Sequence, residues 1–192
     1  MKSLLLGAAL LSLVSASGAF AQAMPTLYGE NLITPLPKGF KLGAQSAQGR
    51  FAQMEYIPEA ETVQDWSTMI TVTVIKGQLP VTPDQFSQKV AGGFQQACAK
   101  GEGHKVVDGQ VNGYAYTQWI ATCDLNPQTG KPEFLVMRTI QGADAFFNVQ
   151  YAFRRAPSDD AVKQATDYLD TTSVCDTRLP ERPCKPQESK PK

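Results

Sequence analysis

The chain has few of the residues on which catalytic sites depend. Its 192 residues include one histidine, His104, which lies in the glycine-rich stretch 101–109. A Ser-His or Cys-His nucleophile pair would need that one side chain. The sequence also has no CxxC pair, no phosphate-binding glycine loop and no calcium loop of alternating acids. We therefore expect no catalytic residue, no metal and no cofactor, and the composition leans away from an enzyme.

The chain also lacks net charge. Its 18 basic side chains balance 18 acidic ones, whereas a nucleic-acid-binding domain carries a basic excess. Removing an N-terminal segment whose only charged residue is Lys2 would leave a net charge of −1. We therefore expect no nucleic acid partner and no attachment to anionic lipid through bulk charge.

Only one long apolar run is present, over residues 4–14. It is too short to span a bilayer, it follows the positive charge of Lys2, and it leads to the A-x-A cleavage signal Ala19-Phe20-Ala21. We expect a signal peptide over residues 1–21, with cleavage before Gln22. The mature protein is then periplasmic or secreted, without stable membrane insertion, and is long enough for a single domain with its own core.

Four cysteines follow the predicted signal peptide: Cys98, Cys123, Cys175 and Cys184. An even number in an exported chain is typical of disulfide bonds. Of the three possible pairings we favour Cys98–Cys123 with Cys175–Cys184. The first bond would tie the end of a helix to the end of a strand, and the second would hold the C-terminal segment.

Proline and charge divide the rest of the chain. Residues 22–38 contain three prolines and few periodic apolar residues, which indicates an extended lead-in. Residues 39–175 form the expected single domain. Residues 176–192 are rich in proline and charge, and we expect disorder beyond Cys184.

The first half of the domain predicts three strands and a helix. Residues 39–58 read as two strands around Gln48-Gly49, and alternation from Trp66 to Gly77 predicts a third. Thr82 then begins a helix signal that combines an N-cap, a following proline and Gln85 at the capping-box position. The stretch 101–109 is expected to be a polar loop.

The second half predicts a three-stranded meander over residues 113–154, in which each strand alternates and carries aromatic or β-branched residues. A second helix follows Ser158, with Asp159 and Asp160 in its first turn. The expected fold class is α+β, with a mostly antiparallel sheet of about five or six strands and two helices packed on one face.

The order of elements, β-β-β-α-β-β-β-α over about residues 39–172, resembles that of the Mog1/PsbP-like proteins. This resemblance implies a small domain with helices packed on an antiparallel sheet. It implies an adaptor or assembly-factor role and transfers no site residues to this chain.

The meander is rich in aromatic residues, and these are the candidate binding residues. Tyr114 and Tyr116 share one phase of their strand, Trp119 lies on the other phase, and Tyr151 lies on the last strand. If the helices cover one sheet face, one set must face outward and could bind a protein, a peptide or a small apolar ligand. In the alternative, both sets are buried, one under the helices and one under the N-terminal strands.

Two functional hypotheses follow. The leading one is an exported, disulfide-stabilised, non-enzymatic binding or accessory protein that contacts another protein through a sheet face or edge. The alternative is a small periplasmic hydrolase or small-ligand carrier with a cleft beside the 113–154 meander. A deep pocket in which Glu55, Arg138 or Tyr116 converge would favour the alternative.

Overall fold

A seven-stranded antiparallel sheet forms the centre of the protein. The computed structural model describes residues 28–98 and 100–184, so the predicted signal peptide and the segment after Cys184 lie outside the described residues. The elements, in chain order, are β1 (Glu30–Ile33), β2 (Phe40–Gln48), β3 (Phe51–Pro58), β4 (Thr68–Lys76), α1 (Pro83–Ala97), β5 (Gly101–Val111), β6 (Tyr114–Asn126), β7 (Lys131–Gln141), β8 (Ala145–Phe153), α2 (Asp159–Asp170) and β9 (Ser173–Asp176). The large sheet has the order β2-β3-β4-β8-β7-β6-β5, and β1 pairs with β9 in a separate ribbon.

The predicted α+β class and antiparallel sheet are confirmed, but the sheet has more strands than expected. The additional strand is β5, which occupies the stretch predicted as a loop. Its glycines are needed for packing: a Cβ on Gly103 would lie 2.8 Å from Cβ of Ala91, and one on Gly101 would lie 2.9 Å from Cα of Gln95. The glycines therefore let α1 lie close to the sheet edge.

The first helix begins where its sequence signal predicted. Thr82 accepts a hydrogen bond from the backbone of Gln85 (3.2 Å), and the Gln85 side chain accepts one from the backbone of Thr82 (3.0 Å). This capping box satisfies two donors that the first helical turn leaves free. The helix ends at Cys98, whose disulfide to Cys123 ties it to β6 as expected.

The two helices lie on opposite faces of the sheet, so the prediction that both pack on one face is wrong. Leu135 and Met137 of β7 pack in the group that includes Ala91 of α1. Val136, between them, packs in the group that includes Leu169 of α2. Alternate residues of a strand point to opposite faces, so we call these the α1 face and the α2 face.

The ribbon of β1 and β9 covers the part of the α2 face that lies next to the β7–β8 turn. Val174 of β9 is fully buried in a group with Ile140 and Phe147 of the large sheet. The second expected disulfide is also present and joins Cys175 of β9 to Cys184. β1 lies in the stretch predicted as an extended lead-in, and the Glu30 carboxylate accepts hydrogen bonds from the backbone of the β7–β8 turn. No helix among the described residues is long and apolar enough to cross a membrane.

Candidate binding surface

Two of the four predicted aromatic binding residues are buried. Tyr114 is 3% exposed on the α2 face, with the Arg182 guanidinium 4.1 Å above its ring. Trp119 is 9% exposed under α1, and its indole Nε1 donates to Asp84 Oδ1 at 2.9 Å. Tyr114 is covered by the β1–β9 ribbon, whose Val174 packs in the same group, and Trp119 is covered by α1. An outward-facing aromatic surface built from these two residues is excluded by their burial.

Tyr116 is half-buried and belongs to an internal contact. The guanidinium of Arg138 lies 3.8 Å from the Tyr116 ring centroid. Arg138 is 3% exposed and donates to the carbonyl of Leu169 (2.9 Å) and to Asp170 (3.1 Å). Because a helix C-terminus attracts cations, this arginine anchors the end of α2 to the sheet. Burial lowers the pKa of the Arg138 guanidinium, and the nearby Tyr116 and Asp170 oppose that shift.

Tyr151 is the predicted residue that lies in a partly exposed aromatic group. Its ring centroid is 5.6 Å from that of Tyr168 on α2 and 6.5 Å from that of Phe40 on β2. Tyr56 of β3 lies in the same cross-strand row, with Ile70 between it and Tyr151. All four rings are half-buried. We call Phe40, Tyr56, Tyr151 and Tyr168 the tyrosine cluster.

Two hydroxyl groups of the cluster, those of Tyr151 and Tyr168, have a raised pKa and remain protonated near neutral pH. Burial raises the pKa of Tyr151. Burial also raises the pKa of Tyr168, with smaller contributions from the charges of Tyr151 and Tyr56, while its hydrogen bond to Thr34 (2.9 Å) opposes the shift. Tyr56 donates weakly to the sulfur of Met54 at 3.5 Å. The cluster thus presents apolar ring surface with neutral groups that can donate or accept, a chemistry suited to binding.

Two exposed leucines flank the cluster. Leu42 is 47% exposed and lies directly opposite Tyr56 in the β2–β3 register. Leu36 is 46% exposed and lies in the segment between Thr34, which is bonded to Tyr168, and Phe40, which contacts Tyr151. Exposed apolar side chains close to half-buried aromatic rings are typical of surfaces where proteins meet.

Sequence reasoning missed three members of the tyrosine cluster, namely Phe40, Tyr56 and Tyr168, and the two leucines beside it. The three cluster members lie on β2, β3 and α2, and no periodicity within one segment joins them. The sequence did contain one signal for Tyr56. Tyr56 and Met54 lie on the same side of their strand, and that side carries no charged residue. Strand order then decides which residues neighbour Tyr151, and that order follows from tertiary structure.

The α1 face carries a different feature, a row of polar residues across the sheet. Neighbouring strands place the following residues side by side: Ser46, Gln53, Thr73, Asn148, Thr139 and Thr117. Asn148 donates to Thr139 Oγ1 at 2.8 Å, and the Thr139 hydroxyl lies 2.7 Å from that of Ser87 on α1. Ser87, Thr139 and Asn148 thus satisfy one another and Thr117 donates to the carbonyl of Val107, so these buried polar groups are explained by packing beneath α1.

The residues named for a catalytic or ligand cleft do not converge. Glu55 lies on the α1 face and accepts a hydrogen bond from Gln53 at 2.8 Å. Arg138 and Tyr116 lie on the α2 face. His104 is an exposed residue of strand β5, where a mobile-looking loop was predicted. Among residues 28–98 and 100–184, no three His, Cys, Asp or Glu side chains are grouped for metal binding.

A shallow depression of about 280 Å³ lies at the end of the meander that contains Lys131 and Arg154. Its lining is Glu61, Asp65, Trp66, Ser67, Lys131 and Arg154. Its charges are paired within the protein: Lys131 bonds to Asp65 at 2.7 Å, and Glu61 accepts from the Ser67 hydroxyl at 2.6 Å. Arg154 stacks on the Trp66 ring at 4.2 Å. The Glu61 carboxylate also accepts from the Ser67 backbone N–H at 2.7 Å, so its contact with the Ser67 hydroxyl belongs to a local turn, and no histidine lines the depression to activate that hydroxyl.

A protein-family model matches residues 37–176, from three residues before β2 to the end of β9. The chain belongs to that family. The match leaves out most of the lead-in and the segment after Asp176. Comparison with curated protein sequences gives no match.

Several solved structures are similar in fold. LpqN of Mycobacterium tuberculosis, described as involved in cell envelope biogenesis, is 16% identical with a TM-score of 0.46, over 76% of this chain and 83% of that one. The Ran-binding protein Mog1p of Saccharomyces cerevisiae is 12% identical (TM-score 0.46; 74% and 85% covered). The cyanobacterial PsbP of Synechocystis is 8% identical (TM-score 0.48; 78% and 94% covered). The resemblance to Mog1/PsbP-like proteins is confirmed, and at these identities it concerns the fold alone.

Proposed function

We propose that this is an exported, non-enzymatic binding protein that contacts another protein through the tyrosine cluster. The observation that carries the proposal is the contact of Tyr151 with Tyr168 and Phe40 beside exposed Leu36 and Leu42. Tyrosine is enriched among the residues that dominate binding energy, because a rigid ring buries much apolar area and its hydroxyl still finds a partner.

The position of α2 favours a preformed surface. Arg138 and the buried Leu169 fix the helix end on the sheet, which in turn fixes Tyr168 beside Tyr151. A surface that is already ordered loses little conformational entropy when a partner binds. Protein binding therefore needs no rearrangement of the described residues.

Two disulfides support the export part of the proposal. Cys98–Cys123 and Cys175–Cys184 account for all four cysteines of the chain. Such bonds persist in oxidising compartments and are rare in the cytosol. Together with the predicted signal peptide over residues 1–21, they support a function in the periplasm or outside the cell.

Photo-crosslinking in cells tests the proposed surface. The probe position is Leu36→p-benzoylphenylalanine, beside the cluster, and the matched control is Leu125→p-benzoylphenylalanine in β6. Both leucines are 46% exposed, so they differ in location and not in access to solvent. A partner that binds at the cluster is captured from position 36 and not from position 125.

A further inference from the structure

The outer edge of β2 is open. β2 and β5 are the two edges of the large sheet, and among the described elements no strand pairs with the outer side of β2. All residues of β2 except Phe40 and Ala44 are exposed. An exposed edge presents unpaired backbone N–H and C=O groups that can accept a further strand.

The two edges differ in their protection against pairing. β5 carries ionisable residues along its length, namely Glu102, His104, Lys105 and Asp108, and has a bulge after Lys105. β2 has a bulge at Gly43, but the regular stretch 44–48 that follows has no charged residue. Because edge charges are a common barrier to strand addition, β2 is the edge suited to pairing.

The stretch 44–48 is complementary to itself. Ala44, Ser46 and Gln48 face the α1 side, and Gln45 and Ala47 face the α2 side. In antiparallel pairing about Ser46, each glutamine lies opposite an alanine of the second copy, and the two serines lie opposite each other. No like charges meet, each glutamine amide faces a small alanine, and the two serine hydroxyls can hydrogen-bond to each other.

The polar row of the α1 face also ends at this position. Ser46 lies beside Gln53, and the row continues through Thr73 to the interior. A strand added in this register continues the row with a second Ser46 and then a second Gln53. The stretch 44–48 of a second copy fits this row, because its α1 side carries Ser46 and Gln48 and no charged residue.

We propose that two copies of the protein associate by antiparallel pairing of their β2 strands, centred on Ser46, into one continuous sheet. The two-fold axis of such a pair is perpendicular to the sheet, so both tyrosine clusters lie on the same side. The dimer thus presents the cluster twice, and a partner with two binding segments gains effective concentration. The pairing itself does not depend on what the cluster binds.

The molecular mass of the mature, oxidised protein in sedimentation equilibrium tests the proposal without any partner. The expected mass is twice that of the monomer. Ser46→Lys sets two ammonium groups opposite each other and should halve the mass. An unchanged melting temperature of this variant is the control for folding. Val107→Lys, at a 41% exposed residue of β5, is the control that keeps the dimer.

A second variant tests the register. Facing residues of an antiparallel pair have Cβ atoms about 5 Å apart, so Ser46→Cys should form a disulfide between copies under mild oxidation. Gln48→Cys, exposed on the same face, lies opposite Ala44 and should not. A monomeric mass overturns the proposal. A dimer that survives Ser46→Lys, or one that Ser46→Cys does not crosslink, also overturns it.

Discussion

Tyr151 of β8 packs edge-on against Tyr168 of α2, with ring centroids 5.6 Å apart and ring planes at 66°. This contact joins a sheet residue predicted for binding to a half-buried residue of α2. Helix α2 therefore contributes Tyr168 to the candidate surface. The partly exposed aromatic area of the α2 face lies between this helix and the open edge strand, where a protein partner can reach it.

At alkaline pH the free energy of unfolding should fall. Burial raises the pKa of both Tyr151 and Tyr168 above the ordinary value of 10.0. From about pH 10 upward the unfolded chain therefore loses protons that the folded chain keeps. The stabilisation is complete below pH 10 and is lost as the pH rises through the folded-state pKa values.

Urea unfolding between about pH 8 and pH 11 measures this loss. The double change Tyr151→Phe with Tyr168→Phe should make the free energy of unfolding less dependent on pH, since phenylalanine does not titrate. A native chain whose stability rises with pH over this interval would contradict the buried, protonated state of the two hydroxyls.

Two glycine substitutions should change stability in opposite directions. Gly92→Ala should raise the free energy of unfolding by about 1 kcal/mol, because the site is helical and, apart from the nearby backbone of α1 itself, no atom lies within 4 Å of the new Cβ. Gly103→Ala should lower it by about 1–3 kcal/mol, because the new Cβ would lie 2.8 Å from that of Ala91. Thermal or urea unfolding of the two variants checks both signs, and equal effects would refute the packing of α1 on β5.

The two disulfides should contribute unequally to stability. Cys98–Cys123 spans 25 residues and Cys175–Cys184 spans 9. Loop-closure entropy gives about 3.5 kcal/mol for the longer loop and about 2.5 kcal/mol for the shorter one. Replacing each pair by serines and comparing urea midpoints measures the order. A larger loss from the Cys175 and Cys184 pair would show that local strain or packing outweighs loop length.

Signal-peptide cleavage and disulfide formation should give the exported protein a defined molecular mass. The protein recovered from the periplasm or medium should begin at Gln22 and weigh four hydrogens less than its fully reduced form, since both disulfides are formed. Intact-mass analysis before and after reduction gives both values. A chain that retains residue 1, or carries free thiols at Cys98 and Cys123, would contradict the exported state.

Local signals predicted the parts of the fold that are encoded locally. Thr82 with Gln85, and Ser158 with Asp159, are complete helix starts in sequence, and both helices begin there. The hairpin around Gln48-Gly49 is likewise a local turn, and the structure has it. In each case the deciding contacts lie within four residues of one another.

The sequence-based predictions were wrong where contacts between residues far apart in the chain determine the structure. Strand β5 has the composition of a loop because Gly101 and Gly103 must leave room for α1, a requirement that its own sequence does not explain. The opposite placement of the helices did have a signal, since the uninterrupted apolar run 134–137 in β7 is typical of a strand buried on both faces. The candidate surface combines Phe40, Tyr56 and Tyr168 through strand order, which no single segment contains.

The most direct test of the account is the yield of crosslinked partner from position 36 compared with that from position 125. The account predicts a discrete adduct to another protein from Leu36→p-benzoylphenylalanine, little or none from the equally exposed control, and a strong reduction when Tyr151→Ala is added. Equal yields from the two positions, or an adduct that Tyr151→Ala leaves unchanged, would contradict binding at the tyrosine cluster.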